Sequence, residues 1–358
     1  MLMVNNNQSR KFARALLRWH SREGRHNLPW QKTQTAYRVW LSEIMLQQTQ
    51  VTTVIPYFNK FVKKYQTITD LANADIDEIL KLWEGLGYYS RARNLHKTAQ
   101  IISWDFASKF PATISGLMAL PGIGRSTAGA ILSLAFQIPA AILDGNVKRV
   151  LTRYHALPGW PGDTKTEKKL WAIAEKYTPS LQIRNYTQAI MDLGATLCTR
   201  SNPSCSKCPL NSDCVAYNEA IISKFPEKKS KKVRQQDLHL CVITNQKNEV
   251  VLAQRAAKGI WGGLWCFPEK TDDVSVRALL NSLGIGKAQK IKELAPFNHK
   301  LTHINFRIFP ILVVVTNRIK IGSSFIWQPL SKNWDVGVPK PVTKIVDILV
   351  ASKPKLLQ

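Results

Sequence analysis

Acidic side chains are scarce in this chain. Its 358 residues carry 24 Asp and Glu against 50 Lys and Arg, a formal charge of +26. That imbalance argues against an enzyme of small neutral metabolites. It favours a polyanionic partner, because each phosphate neutralised by Lys or Arg releases a counterion. Long apolar runs are missing too. The longest, "FPILVVVT" at 309–316, falls far short of the roughly 20 residues a membrane-spanning helix needs and reads as a strand. No signal-peptide h-region precedes the first amphipathic helix. Cysteine is sparse, six residues in all, yet four of them crowd into "CTRSNPSCSKCPLNSDC", Cys198 to Cys214. The expectation is a nucleic-acid partner, no membrane partner and a cytoplasmic location.

The length suits two domains. Residues 9–224 read as helices joined by short loops, with Phe12, Leu16 and Trp19, then Leu80 and Trp83, then Leu170, Ile173 and Tyr177 at helical spacing. "KFPEKKSKKVRQQD" (224–237) has five lysines, a proline and no large apolar stretch, so a basic linker is placed at 225–237. Beyond it, "LHLCVITN", "EVVLAQRA" and "FRIFPILVVVT" alternate and are rich in β-branched residues. One helix is expected among them, around Val274–Leu283. The fold expected is therefore multidomain, an all-α domain over 1–224 followed by a smaller α+β domain over 238–358. No internal repeat is present.

Cys198, Cys205, Cys208 and Cys214 are separated by six, two and five residues. A disulfide framework does not fit a reducing compartment. Four clustered thiolates point to a metal. Structural zinc favours paired short Cys-x-x-Cys spacings, and only one pair here is short. The spacing favours an iron–sulfur cubane, with zinc as the alternative. Cys241 and Cys266 lie far off in strands and read as core residues.

"LMALPGIGRSTAGAI" (117–131) reads as helix, tight turn, helix. Gly122 and Gly124 free backbone amides to point outward, and the second helix offers its N-terminus, an arrangement suited to phosphate without sequence readout. Glu43 lies in "VWLSEIMLQQTQV" with Val39, Trp40 and Leu46 as its helical neighbours. Desolvation there would raise its pKa and suit it to donate a proton; an ordinary helix-surface Glu is the alternative. Asp144 and Asn146, in "AILDGNVKRVL", stand before a helix, where capping is the competing role for either.

Taken in order, "LSEIMLQQTQV", "GLGYYSRARNL", "LPGIGRSTAGAI", "LDGNVKRV", "MDLGATLC" and the four-cysteine loop resemble the MutY-type adenine DNA glycosylases, helix–hairpin–helix enzymes similar to endonuclease III. The match spans nearly the whole chain. The resemblance implies a monofunctional enzyme of base-excision repair, a monomer, nucleoid-associated in a bacterium. It would hydrolyse the N-glycosidic bond of adenine mispaired with 8-oxoguanine or guanine in double-stranded DNA, after flipping the base out. It implies a [4Fe–4S] cluster on Cys198, Cys205, Cys208 and Cys214. It makes Glu43 the acid that protonates adenine and Asp144 the carboxylate that stabilises the oxocarbenium ion, with Asn146 and Ser126 beside them. Gln48, Tyr88 and Leu46 match residues wedged into the duplex, Gln47 adjoins them in the DNA-binding set, and Arg25, Trp30 and Gln188 match residues around the extruded base. A base inside a duplex is out of reach, so extrusion is required on physical grounds as well.

Bifunctional glycosylases of this fold use a Lys amine in the hairpin helix. Here Ser126 holds that place, and no Lys lies between Leu120 and Ala141, so efficient strand cleavage is not expected. An endonuclease III-like bifunctional enzyme and a non-catalytic DNA-binding module are the rival readings.

The C-terminal region resembles the frame of the Nudix hydrolases. Gly263, Glu269, Arg277 and Gly284 keep its spacing, but the three acidic positions that would hold magnesium are Ala278, Asn281 and Ser282. The resemblance implies a domain that recognises 8-oxoguanine rather than hydrolysing nucleotides. The family's Phe-Ser-His loop is replaced by Leu301-Thr302-His303, which makes Thr302 and His303 the candidate contacts.

Overall fold

The computed structural model describes residues 6–229, 233–271, 273–285, 288–301, 303–316, 322, 324–330 and 334–351. The chain divides into two compact units, one of residues 1–73 and 94–229, the other of residues 74–93 and 230–358. Residues 74–93, which follow the helical period of their neighbours, thus group with the C-terminal part of the chain.

The first unit is all helical. Its core is aromatic: Phe12, Trp40, Phe58 and Phe61 are at most 1% exposed, and Phe12 packs edge-on against Tyr154 at 5.0 Å between ring centres. Burying each such ring contributes on the order of 2–3 kcal/mol. Three helices carry the candidate site. Ala36–Leu46 starts at Thr35, whose side chain accepts from the Arg38 amide, and it buries Tyr37, Val39, Trp40, Leu41, Ile44 and Met45. So wide an apolar surface partly desolvates Glu43, which stays half-buried among these neighbours. Gly145–Tyr154 is capped by Asp144, whose Oδ1 accepts from the Val147 amide at 2.9 Å. Ile183–Thr196 runs through the centre with nine buried residues. The approach of these last two helices depends on Gly194. A Cβ there would stand 2.5 Å from the Cβ of Asn146, so any side chain would push Asn146 away.

The hairpin is present as read. Ile114–Met118 and Arg125–Ile131 flank a tight turn, and Gly122 adopts φ +78° within it, a conformation costly for other residues. A π-helical turn, Leu132–Phe136, continues the second helix.

The second unit is built on an eight-stranded mixed sheet. Its long central strands, Arg234–Asn245 and Ile304–Val315, run parallel from Arg234 opposite Ile304 to Asn245 opposite Val315, and every other pairing is antiparallel. Alternate residues face two separate cores. Leu238, Leu240 and Val242 join one with Val342, Ile345 and Val346 of helix Lys340–Ala351. Cys241 and Ile243 join the other with Leu280 of helix Val276–Ser282. Burial on both faces explains why "LCVI" is a continuous apolar run. The first strand begins at Arg234, inside the stretch read as linker from its charge. Helix Lys340–Ala351 is an addition to the single helix expected here.

Candidate active site

One cavity of about 380 Å³ opens in the first unit. The end of helix Ala36–Leu46 lines it with Glu43, Leu46, Gln47 and Gln48. The hairpin helix contributes Ser126, and the start of Gly145–Tyr154 contributes Asp144 and Asn146. Gln188 of the central helix and Arg25 and Trp30 of the loop before Ala36–Leu46 complete it. Ten candidates scattered from position 25 to position 188 therefore share one concavity.

The two acids differ in what surrounds them. Glu43 is half-buried, and its pKa is pushed up to about 8, first by burial and second by the charge of Asp144. Asp144 is also raised by burial, but opposing groups favour its charged form: the Val147 and Asn146 amides, the Arg149 guanidinium and the Asn146 side chain. Asn146 Nδ2 donates to Asp144 Oδ2 at 3.1 Å. Glu43 has no donor among its pKa determinants. With one proton to share near neutrality, the pair places it on Glu43 and leaves the negative charge on Asp144. Capping and pocket lining turn out to be compatible for Asp144, whose Oδ1 caps while its Oδ2 meets Asn146. Asn146 is within the helix and is not its cap.

Ser126 Oγ accepts from the Leu143 amide at 2.9 Å, tying the hairpin to the segment before Asp144. Gln47 Nε2 reaches the Gly122 carbonyl at 3.3 Å and Thr127 Oγ1 at 3.4 Å. Gln48 follows with φ +56°, a left-handed turn that ends the helix. Trp30 is 5% exposed and sits edge-on to Phe58. Gly124 caps the hairpin helix with its backbone alone.

Two residues not singled out in the sequence organise this site. Arg149 donates from Nη2 to Asn146 Oδ1 at 2.8 Å and from Nε to the Cys198 carbonyl at 2.6 Å. Asp192, fully buried, accepts from the Arg25 amide at 2.8 Å, from Arg25 Nε at 2.9 Å and from Gln188 Nε2 at 2.8 Å. Burial pushes Asp192 up, but His20 and the charge and N–H groups of Arg25 outweigh it and hold the carboxyl below its usual range. Helical spacing was the available signal, since Arg149 is three residues past Asn146 and Asp192 four past Gln188.

Cys198, Cys205, Cys208 and Cys214 line a second concavity with Leu193, Leu197 and Leu210. Arg153, 3% exposed, places Nη1 3.4 Å from Cys198 Sγ and 2.7 Å from the Thr199 carbonyl. The thiols are free. Among the described residues, no group of three or more His, Cys, Asp or Glu is arranged to hold a metal ion.

The remaining candidates lie in the second unit. Tyr88 is 43% exposed with φ +49°, and the Arg91 guanidinium stands 5.7 Å from its ring centre. His303 is exposed at the end of the hairpin joining Phe297–Lys300 to Ile304–Val315, closed by a 2.8 Å bond from the Leu301 amide to the Ile304 carbonyl. Thr302 lies outside the described residues. Glu269, kept from the Nudix frame, pairs with Arg255 at 3.0 Å. No helix among the described residues is long and apolar enough to cross a membrane.

Residues 41–176 match the "HhH-GPD superfamily base excision DNA repair protein" family and residues 239–347 the "NUDIX domain" family. A relative from Buchnera aphidicola subsp. Schizaphis graminum, called adenine DNA glycosylase, is 43% identical over 94% of this chain and 98% of its own length. A human protein of the same description is 33% identical over 82% of this chain and 65% of its own. Among solved structures, a thermostable thymine-DNA glycosylase superposes with a TM-score of 0.55 at 29% identity, covering 60% of this chain and 98% of its own. An endonuclease III–DNA complex superposes with a TM-score of 0.51 at 22% identity, covering 61% and 99%, and shares the fold. With a helical glycosylase unit, a Nudix-like unit and relatives of this similarity, the chain belongs to the adenine DNA glycosylases, base-excision DNA repair enzymes of the helix–hairpin–helix superfamily.

Proposed function

We propose that this enzyme removes adenine mispaired with 8-oxoguanine or guanine in duplex DNA by hydrolysis alone, without a covalent amine intermediate. The observation that carries the reading is the unlike pair of carboxylates in one cavity. Adenine leaves poorly as an anion, so its ring must accept a proton as the glycosidic bond breaks. Glu43, neutral below about pH 8, can donate it. Bond breaking leaves positive charge on the sugar. Asp144, whose charged form is favoured by the Asn146 and Val147 donors and by Arg149, offsets that charge and can orient the water that captures the cation. Gln48, Leu46 and Tyr88 are the proposed wedge, and Arg25, Trp30 and Gln188 the proposed walls of the base pocket.

Several features support the monofunctional part. Ser126 replaces an amine in the hairpin helix, and its hydroxyl is engaged by Leu143. Lys148, the nearest cation along the Asp144 helix, is held 2.6 Å from Glu167.

Cys198, Cys205, Cys208 and Cys214 are the residues that would hold a [4Fe–4S] cluster. Four thiols lining one apolar concavity beside Arg153 fit its charge. The spacing of six, two and five residues, with only one short Cys-x-x-Cys pair, favours a multi-iron cluster over zinc, which usually takes paired short spacings. When bound, the cluster supplies cross-links that stiffen a loop carrying Arg200 and Lys207 for DNA phosphate. In the Nudix-like unit, Thr302 and His303 are the proposed 8-oxoguanine contacts.

The direct test is single-turnover release of free adenine from a duplex with one adenine:8-oxoguanine pair. A burst of adenine with the strand left uncut is expected. No adenine release, or strand cleavage keeping pace with it, would overturn the reading.

A further inference from the structure

We infer that Asp192, which faces no base itself, sets the polarity of the Gln188 amide and so makes the cavity select a purine with a 6-amino group over one with a 6-oxo group. This rests on the reading of the cavity as an adenine pocket. Gln188 is 8% exposed and lines that cavity. A side-chain amide can present either its NH₂ or its carbonyl in a given direction. Asp192 removes the choice. Its carboxylate can only accept, and it is fully buried on the Gln188 side of the same helix, four residues on. The group facing Asp192 Oδ1 at 2.8 Å must therefore be Gln188 Nε2. That leaves Oε1, which meets no protein donor among the described residues, for the cavity.

Asp192 is itself unable to turn away. Oδ2 accepts from the Arg25 amide at 2.8 Å and stands 3.4 Å from His20 Nε2, and Oδ1 takes Arg25 Nε and Nη2 at 2.9 and 2.6 Å. The donors converge on one ionised acceptor, so the polarity reaches Gln188 through a charge that the surrounding N–H groups keep in place. An acceptor at the cavity wall pairs with the exocyclic amine of adenine. It meets the oxygen of hypoxanthine or guanine acceptor to acceptor, which leaves both unpaired and buried. A site that hydrogen-bonds one exocyclic group rejects the analogue lacking it far more strongly than apolar contact can.

The test compares single-turnover excision of adenine and of hypoxanthine, each opposite 8-oxoguanine, by the full-length protein. The ratio within one enzyme, taken relative to wild type, cancels the different reactivity of the two bases. Asp192→Ala frees the amide to rotate, and the adenine preference should fall at least about tenfold. Gln188→Leu should lower it by a similar factor. Because Asp192 acts through Gln188, the double variant should fall no further than Gln188→Leu alone. Loss of rate with an unchanged ratio in Asp192→Ala would mean a structural role only and overturn the inference. So would a double variant whose losses simply multiply. Should Asp192→Ala fail to fold, an unchanged ratio in Gln188→Leu overturns it alone. Failure of wild type to release adenine at all would instead count against the adenine-pocket reading.

Discussion

Asn146 and Asp144 sit two residues apart at one helix start, and the side-chain amide of the first donates to the carboxylate of the second at 3.1 Å. Asp144 thereby serves the helix with one oxygen and the cavity with the other. The two roles can be separated, because Asn caps a helix about as well as Asp. Asp144→Asn should keep the melting temperature within a few degrees of wild type. Its single-turnover adenine release should fall by roughly 10²-fold or more, the scale of losing a preorganised charge partner. A variant with a lowered melting temperature and a nearly wild-type rate would leave capping as the only role.

Glu43 makes a prediction in two opposite directions. Glu43→Gln keeps the shape and removes the proton, so adenine release should drop by roughly 10²–10⁴-fold while binding to the mispair persists. Stability should move the other way. A carboxyl raised to about 8 from its unfolded range binds a proton in the folded state that the unfolded chain has released. Its cost is absent below about pH 4.5, grows as pH rises, and levels off above about pH 8. Removing it should stabilise the protein at pH 7 by on the order of 1–3 kcal/mol, with the difference vanishing near pH 4.5. Melting curves across that window check the sign. Wild-type chemistry should also decline as pH climbs through about 8.

Lys148 is 2.6 Å from Glu167 and Ser126 fills the amine's place, so borohydride should trap no native protein–DNA adduct. Ser126→Lys should introduce a trappable adduct. It should also cost roughly 1–3 kcal/mol, because the Leu143 amide loses its acceptor. Efficient trapping by the unmodified protein would defeat the monofunctional reading, and Lys148→Ala would then identify the nucleophile.

Much of this site could be read from short-range spacing. Glu43 is legible because Val39, Trp40 and Leu46 surround it on one helix, and the hairpin because Gly122 takes a left-handed turn that few other residues can make. Asp192 is not. Its importance comes from Arg25 and His20, more than 160 residues earlier in the chain, and no local pattern encodes that encounter. Helix Lys340–Ala351 is hidden in the sequence for a different reason. Its "PVTKIVDILV" core is rich in β-branched residues, which weigh toward strand, and only packing against Val242 and Phe306 in one core decides for a helix. The strand start at Arg234 was hidden by polar composition, since "RQQD" pairs through its backbone with Ile304–Arg307 and needs no apolar side chain to do so.

The Nudix-like unit should bind without hydrolysing. Helix Val276–Ser282 carries Ala278, Asn281 and Ser282 where three carboxylates would gather magnesium, and Glu269 is occupied by Arg255 at 3.0 Å. One remaining acid cannot supply the hard oxygen set a divalent cation requires. The full-length protein with magnesium and an 8-oxoguanine nucleoside triphosphate should therefore release no phosphate or pyrophosphate. Recognition should survive in the loop after Lys300. Thr302→Ala removes the hydroxyl proposed to meet the oxidised base, a hydrogen bond worth about 1 kcal/mol when neutral. The rate ratio for adenine opposite 8-oxoguanine over adenine opposite guanine should fall about five-fold, with adenine release itself retained. An unchanged ratio would remove Thr302 from the recognition loop, and magnesium-dependent turnover of the nucleotide would show that the lost acids are replaced from elsewhere in the sheet.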